Sequence, residues 1–383
     1  MKSLIFLLIS ILIFSTIQSD VEVSSQQLAS STLYVGGSGD GNFSSIMDAV
    51  DAAFYGDHIL VYPGIYYENL ILDVSVSLLS IEGMNETVID ANMSSLPLQV
   101  YADSCRIDGF TFQNGGDLGY NYTASVSLRC DNCIFSNNTV SMKDVDQIHA
   151  DSAIEIHGNN SEISYCHLLE NDKNPLIQRG VYINQYSSNC HIYENYIEGF
   201  ASGVYSYYFT NEIVIENNII ESCNIGVIAQ GFDSKIMKNT IRNCSSAISL
   251  FAPNSYVALN DIICIDREYD NGIFVYTSAK ESVIEKNRIS GNNNYGIYLV
   301  DPHNCIVRSN DILQGNIFVF RHLNTLWKHI EISSNYYAEE NLNRFGWQIL
   351  PGNLQIIAYF EASWDIPWNA FDKNPASSAL FPN

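Results

Sequence analysis

Four stretches of the chain, CHIYENYI, SKIMKNTI, SVIEKNRI and CIVRSNDI, share one pattern: small residue, variable, aliphatic, two variable, Asn, variable, Ile. Self-similarity at a short period constrains a fold more than any other sequence feature, because each unit must then pack on its neighbours in the same way. The Asn column runs Asn195, Asn218, Asn239, Asn260, Asn287, Asn310 and Asn335, at intervals of 23, 21, 21, 27, 23 and 25 residues. Upstream, the same slot is read as Phe110, Cys133 and Cys166, which makes ten units. Two residues beyond the slot an apolar residue returns, as in Ile197, Ile220 and Ile241, and three residues before it another, as in Ile192, Ile215 and Ile236.

A further short strand follows in most units: GVYI at 180, GVYS at 203, GVIA at 226, GIFV at 272 and GIYL at 296. Each piece alternates apolar and polar residues, the period of a strand with one buried face. Three such strands in 21 to 27 residues leave no room for a helix. The expected architecture is an all-β, single-stranded right-handed parallel β-helix of ten or more coils. Stacking at the interstrand distance of about 4.8 Å lines equivalent side chains into ladders, and an Asn amide can both donate to and accept from its neighbours above and below. Asn also tolerates left-handed turn conformations. Glycines such as Gly203, Gly226, Gly272 and Gly296 are expected to serve a similar turn need.

The ends differ from the middle. Ile46, Ala49, Val50 and Ala53 have helical spacing, with Ser45 and Asp48 as a capping box. The expectation is a short helix that covers the first coil, since repeat proteins need protected ends. After Asn335 the pattern stops, and residues 339–383 are expected to form an irregular C-terminal cap to a β-helix spanning 31–338. At the N-terminus an apolar run from Leu4 to Ile17 follows Lys2. It is short for a membrane span and suits a secretory signal over residues 1–19, with an uncleaved anchor as the alternative; the expectation is a chain outside the cell or on its surface that does not span a membrane once the signal is cleaved.

The formal net charge of −24 opposes nucleic acid as a partner. Nine cysteines in an exported chain first suggest disulfides, but Cys105, Cys190 and Cys305 share a slot with Ser161, Ser234, Ser255 and Ser282, and Cys223 and Cys244 share another. Cys130 and Cys133 take two inward slots of one coil. The cysteines are therefore read as small core residues.

The stretch LYVGGSGDGNFSSIMDAVDAAFYGDHILVYPGIYYENLIL (33 to 72), these coils and the closing DIPWNAFDKNPA (365 to 376) resemble NosD-like right-handed parallel β-helix proteins of the pectin-lyase-like superfamily. The resemblance covers about residues 31–376 and implies a secreted or cell-surface protein. Its namesake implies a copper-accessory role, for which the chain lacks H-x-H and M-x-x-M patterns. Polygalacturonase-like hydrolases carry paired aspartates with G-H-G and R-I-K, all missing here. Gly64-Ile65-Tyr66-Tyr67-Glu68 matches the G-x-Y-x-E of pectin-methylesterase-like enzymes without their other segments, and is read as shaping the first coil.

Asp301-Pro302-His303, after a GIYL strand, resembles the D-P-H of mannuronan C5-epimerases. With Arg321 one coil later, the resemblance implies an acid–base pair that moves a sugar proton and a cation that stabilises the resulting charge. The alternative is a polar turn, as the same corner is in other coils, and Asn304 stands where those enzymes have an acid.

Insertions gather at one corner, at about 113–124, 139–152, 169–179 and 266–271, where a solenoid often builds its binding surface. Tyr120 and Tyr122 could stack on a sugar. Asp144, Asp146, His149 and Asp151 offer oxygen-rich ligands that suit Ca²⁺, against the reading of a solvated acidic loop. Together these features point to a non-catalytic surface module that binds polysaccharide or another glycan, or serves adhesion. The runner-up is a polysaccharide-modifying enzyme that uses Asp301, His303 and Arg321.

Overall fold

The computed structural model describes residues 30–116, 124–142, 151–170, 178–264, 271–291, 295–313, 316–322, 329–337, 348–357, 363–372 and 375–376. From Ser31 onward these residues form a right-handed parallel β-helix with three sheets. The first sheet runs from Thr32–Val35 to Ile330–Ser333 through 13 strands, and the second from Gly64–Tyr66 to Tyr336–Tyr337 through 12. The third runs from Leu70–Leu72 through Arg179–Ile183 and Ile317–His322 into a terminal hairpin. Among the described residues no helix is long and apolar enough to cross a membrane.

Coils pair in register, so inward residues stack into continuous columns. In the first sheet Phe135, Ile163, Ile192, Ile215, Ile236 and Val257 lie directly above one another and are fully buried. The Asn column is also buried. Each amide donates to the Oδ1 of the next Asn, as in Asn195 to Asn218 at 2.9 Å and Asn218 to Asn239 at 3.0 Å, and also to a carbonyl of the preceding coil. Each Oδ1 in turn accepts the backbone N–H of the preceding Asn. The ladder thus satisfies backbone groups at the bend between the first two sheets, where the strand pairing leaves them open.

Three expectations need correction. The register upstream is shifted: Phe135, not Cys130, pairs with Ile163, so the ladder residue of that coil is Asn138 and not Cys133. Asn138 Oδ1 accepts the N–H of Phe110 at 2.8 Å. The left-handed residue of each bend is the one before the ladder Asn, including Glu194, Lys238, Leu259 and Lys286 with φ between 55° and 59°. The strand-leading glycines Gly203, Gly226 and Gly272 are likewise not left-handed. A Cβ on Gly203 or Gly226 would lie 2.6 Å from a carbonyl oxygen of the next coil, so close approach is their reason.

Cys130 and Cys133 are joined by a disulfide, against the expectation of plain core packing. The other described cysteines are buried free thiols, and burial pushes Cys166 up to about 12 and Cys190 to about 11.

At the N-terminal end α1 (Ile46–Ala52) covers the first coil, with Ser45 as N-cap accepting from Asp48 N at 3.3 Å. Glu68 accepts from Ile46 N and Met47 N, both at 2.9 Å, which gives the end of the G-x-Y-x-E stretch a capping role. The C-terminal cap is more regular than expected. Gln348–Ile357 continues the third sheet in parallel, and Ser363–Asp372 folds back antiparallel on it. Pro351 and Pro367 hide these strands from a propensity reading.

Glu285, on the outer face of the first sheet, shows how surface charge is held. Burial alone would raise its pKa, but hydrogen bonds from Tyr256 and Arg308, both at 2.6 Å, and the charges of Arg308 and Lys286 bring it below the usual carboxylate value. A lowered folded pKa contributes stability that is present above the unfolded value and lost as pH falls through the folded one. Thermal melts from pH 6 to pH 3 should therefore show Glu285→Gln losing less stability on acidification than the parent chain.

Candidate functional site

The third sheet turns an unusual surface outward. Its strands bury alternate residues, such as Val181 and Ile183, and expose those between. Because the pairing is in register, the exposed residues also form columns. One outward-pointing column, in which Ser127, Glu155 and Phe318 are nonetheless buried, reads Ser127, Glu155, Tyr182, Tyr205, Ile228 and Ser249, and turns aromatic again at Phe274, Tyr298 and Phe318. The residues two positions further on give Arg129, His157, Asn184 and Tyr207, and then Phe251 and Tyr276. Ring centroids are 5.7 Å apart for Tyr182–Tyr205, 6.1 Å for Tyr182–Tyr207, 4.8 Å for Phe274–Tyr298 and 4.9 Å for Tyr298–Phe318. These spacings are in the attractive range for aromatic pairs, so the stacking holds the rings in a fixed array.

At the lower end of this array lies an open groove of about 570 Å³ lined by Arg129, Glu155, His157, Arg179, Tyr182, Asn184, Gln185 and Tyr207. Glu155 is buried. Its Oε1 lies 2.9 Å from His157 Nε2, without hydrogen-bond alignment, and accepts from Asn184 Nδ2 at 3.3 Å. Asn184 Nδ2 also sits 2.9 Å from His157 Nδ1. The Arg179 guanidinium lies over Tyr182 and Tyr205, 4.9 and 5.1 Å from their ring centres. Burial pushes Tyr182 up to about 12, with Arg179 opposing, and raises Tyr205. Both phenols are therefore neutral donors at physiological pH.

The sequence candidates fall elsewhere. Asp301 and Arg321 are both buried, each 2% exposed, at the upper end of the same sheet. Asp301 accepts the backbone N–H of His322 at 2.7 Å and meets the Nδ1 of the same ring. Burial lowers the pKa of Arg321 and the Asp301 charge opposes that shift. The structure thus brings Asp301 to Arg321 and to His322, a residue the sequence reading passed over. His303 enters the turn through its carbonyl, which accepts from Glu281 N at 2.8 Å. The His322 ring packs edge-on against Phe320 at 5.2 Å, next to the aromatic columns.

Tyr120, Tyr122, Asp144, Asp146 and His149 lie outside the described residues. Asp151 is described, and its carbonyl accepts from Arg179 N at 2.9 Å where that strand begins. Among the described residues no three His, Cys, Asp or Glu side chains cluster as metal ligands would. The groove residues escaped the sequence reading although a signal existed. The third letter of GVYI, GVYS, GIFV and GIYL is aromatic each time, and equivalent letters of a β-helix stack.

No curated protein sequence matches this chain. Among solved structures, a mannuronic acid specific polysaccharide family 6 lyase from human gut microbiota superposes with a TM-score of 0.56 at 11% identity, covering 86% of this chain and 92% of that one. A PL6 family alginate lyase gives 0.56 at 13% identity, over 91% of this chain and 57% of that one. The Dettilon tailspike protein gives 0.54 at 12% identity, over 80% of this chain and 66% of that one. At such identities the likeness is one of fold. Residues 98–262 and 202–343 match the family described as "Right handed beta helix region", and the chain belongs to that family.

Proposed function

We propose that this protein is a secreted or cell-surface module that binds a glycan along the outer face of its third sheet. The observation that carries the reading is the ordered aromatic array that ends in the polar groove. Pre-positioned rings, stacked on one another, offer their edges to a sugar at little entropic cost, and the neutral Tyr182 and Tyr205 hydroxyls add polar contacts. The names of the structural neighbours, two polysaccharide lyases and a tailspike protein, support a carbohydrate-related use of the fold. Nothing in the groove requires catalysis, so the reading is non-catalytic binding.

One observation favours a second reading, a polysaccharide-modifying enzyme. A buried carboxylate that engages the Nδ1 of a partly exposed histidine fixes the ring's orientation, as the carboxylate behind a general base does. Here the pair is Asp301 with His322, beside Arg321.

One experiment tests both. The full chain is incubated with a panel of polyuronates and neutral glycans, and each polymer is followed by proton NMR. Binding without chemistry should appear as saturable line broadening on unchanged polymer, weakened about tenfold in Tyr182→Ala or Tyr207→Ala. Epimerised or unsaturated sugar that vanishes in His322→Ala and persists in His303→Ala would replace the binding reading with the enzymatic one. A panel that shows neither effect would sink both.

A further inference from the structure

The protein carries 42 acidic and 18 basic side chains, and most of its described arginines lie against a carboxylate. Among the described arginines, Arg106, Arg242, Arg288 and Arg308 each reach one within 4.0 Å, and Arg321 lies in the field of Asp301. Arg129 and Arg179 reach none among the described residues. Arg129 Nε donates to Ser127 Oγ at 3.2 Å, and Arg179 rests on the two tyrosine rings. Both line the same groove, together with His157. The single carboxylate among the described lining residues, Glu155, is buried and already engaged by His157 and Asn184. In a chain of net charge −24, two guanidiniums left without acidic partners on one concave surface mark a place where negative charge is supplied from outside.

We infer that this groove selects a glycan bearing an anionic group, held by Arg129 and Arg179 while the sugar ring lies beside the tyrosines. The inference rests on the glycan-binding reading and narrows it to one substrate class. Guanidinium suits the task because its planar donors match a carboxylate or a sulfate two bonds at a time, and because it keeps its charge while stacked on an aromatic face. Burial of the Tyr182 ring beneath Arg179 lowers the local dielectric and strengthens that contact. The strongly negative remainder of the surface repels long polyanions, so the site takes a short acidic stretch or an acidic residue in a mixed glycan. Association should then be sensitive to salt.

The test titrates the full chain, by calorimetry, with an oligouronate, a sulfated oligosaccharide and a neutral oligosaccharide of equal length. An anionic ligand is expected to bind at least about tenfold more tightly than the neutral one, and to weaken steadily from low to high salt. Arg179→Gln and Arg129→Gln should each weaken it about tenfold and weaken the neutral ligand by clearly less. Arg106→Gln, on the first sheet, should change neither. A preference for uronate or for sulfate would identify the source of the charge. Equal, salt-independent affinity for acidic and neutral ligands would overturn the inference while the glycan-binding reading stands. Binding of none of the three would overturn both. Unchanged melting curves of the Gln variants keep a loss of affinity from being mistaken for unfolding, and Arg129, the more exposed of the two, gives the cleaner variant.

Discussion

Asn239→Ala should destabilise the protein by about 4 kcal/mol, because it removes two partners that nothing else replaces. Asn239 Oδ1 accepts the backbone N–H and the side-chain amide of Asn218, each at 3.0 Å. Its amide donates to Asn260 Oδ1 at 3.0 Å and to the carbonyl of Ile215 at 2.9 Å. Alanine leaves the Asn218 backbone N–H buried and unpaired and takes an acceptor from the Asn218 amide, at about 1–3 kcal/mol each, and removes the bonds to Asn260 Oδ1 and to the Ile215 carbonyl besides. Asn243 is the control. Its amide makes one exposed contact, to Glu221 at 3.2 Å, and its φ is left-handed at 55°, so Asn243→Ala should cost only the backbone strain of about 1 kcal/mol. Equilibrium denaturation of the two variants side by side measures the difference. Equal midpoints would show that the ladder does not stabilise the coils.

Gly158→Ala should cost about 3 kcal/mol, by overpacking rather than by loss of contacts. The backbone at Gly158 crosses so close to the preceding coil that a Cβ would overlap the carbonyl oxygen of Cys130 and lie 3.0 Å from Asp131 N. Neither neighbour is a flexible side-chain end, so the coil itself must shift. Gly158 follows His157, hence the same substitution should also reduce ligand binding in the groove. Gly56→Ala provides the contrast. Gly56 has φ +88° with nothing within 4 Å of an added Cβ, so only backbone strain of about 1 kcal/mol is expected. A Gly158→Ala variant as stable as Gly56→Ala would refute the packing argument.

These two glycines also mark how far the sequence could be read. In sequence they look alike. One is required by a left-handed φ and the other by a neighbouring chain segment about 28 residues away in sequence, as Cys130 is from Gly158. The coil repeat, the Asn column and the capping helix were legible because each arises from a pattern local to one unit and repeated in the next. The coil containing Asn138 was misread because Cys130 and Cys133 imitate the inward spacing while the insertions on either side differ in length. The strands at 348–357 and 363–372 were missed because their proline and tryptophan content masks strand alternation.

The groove shows the same division more sharply. Arg129, Glu155, His157, Arg179 and Tyr207 come from four successive coils and share no motif. Asp301 was noticed as part of Asp301-Pro302-His303, yet its partner is His322, 21 residues on, which is one turn of the helix. From sequence alone the chain is a right-handed parallel β-helix, since periodic burial of apolar residues and a column of amides admit few other solutions. Which outward side chains meet was decided only by the tertiary structure. Coils of unequal length are brought into register by strand pairing and core stacking, and that register, not spacing along the chain, sets what lies above what.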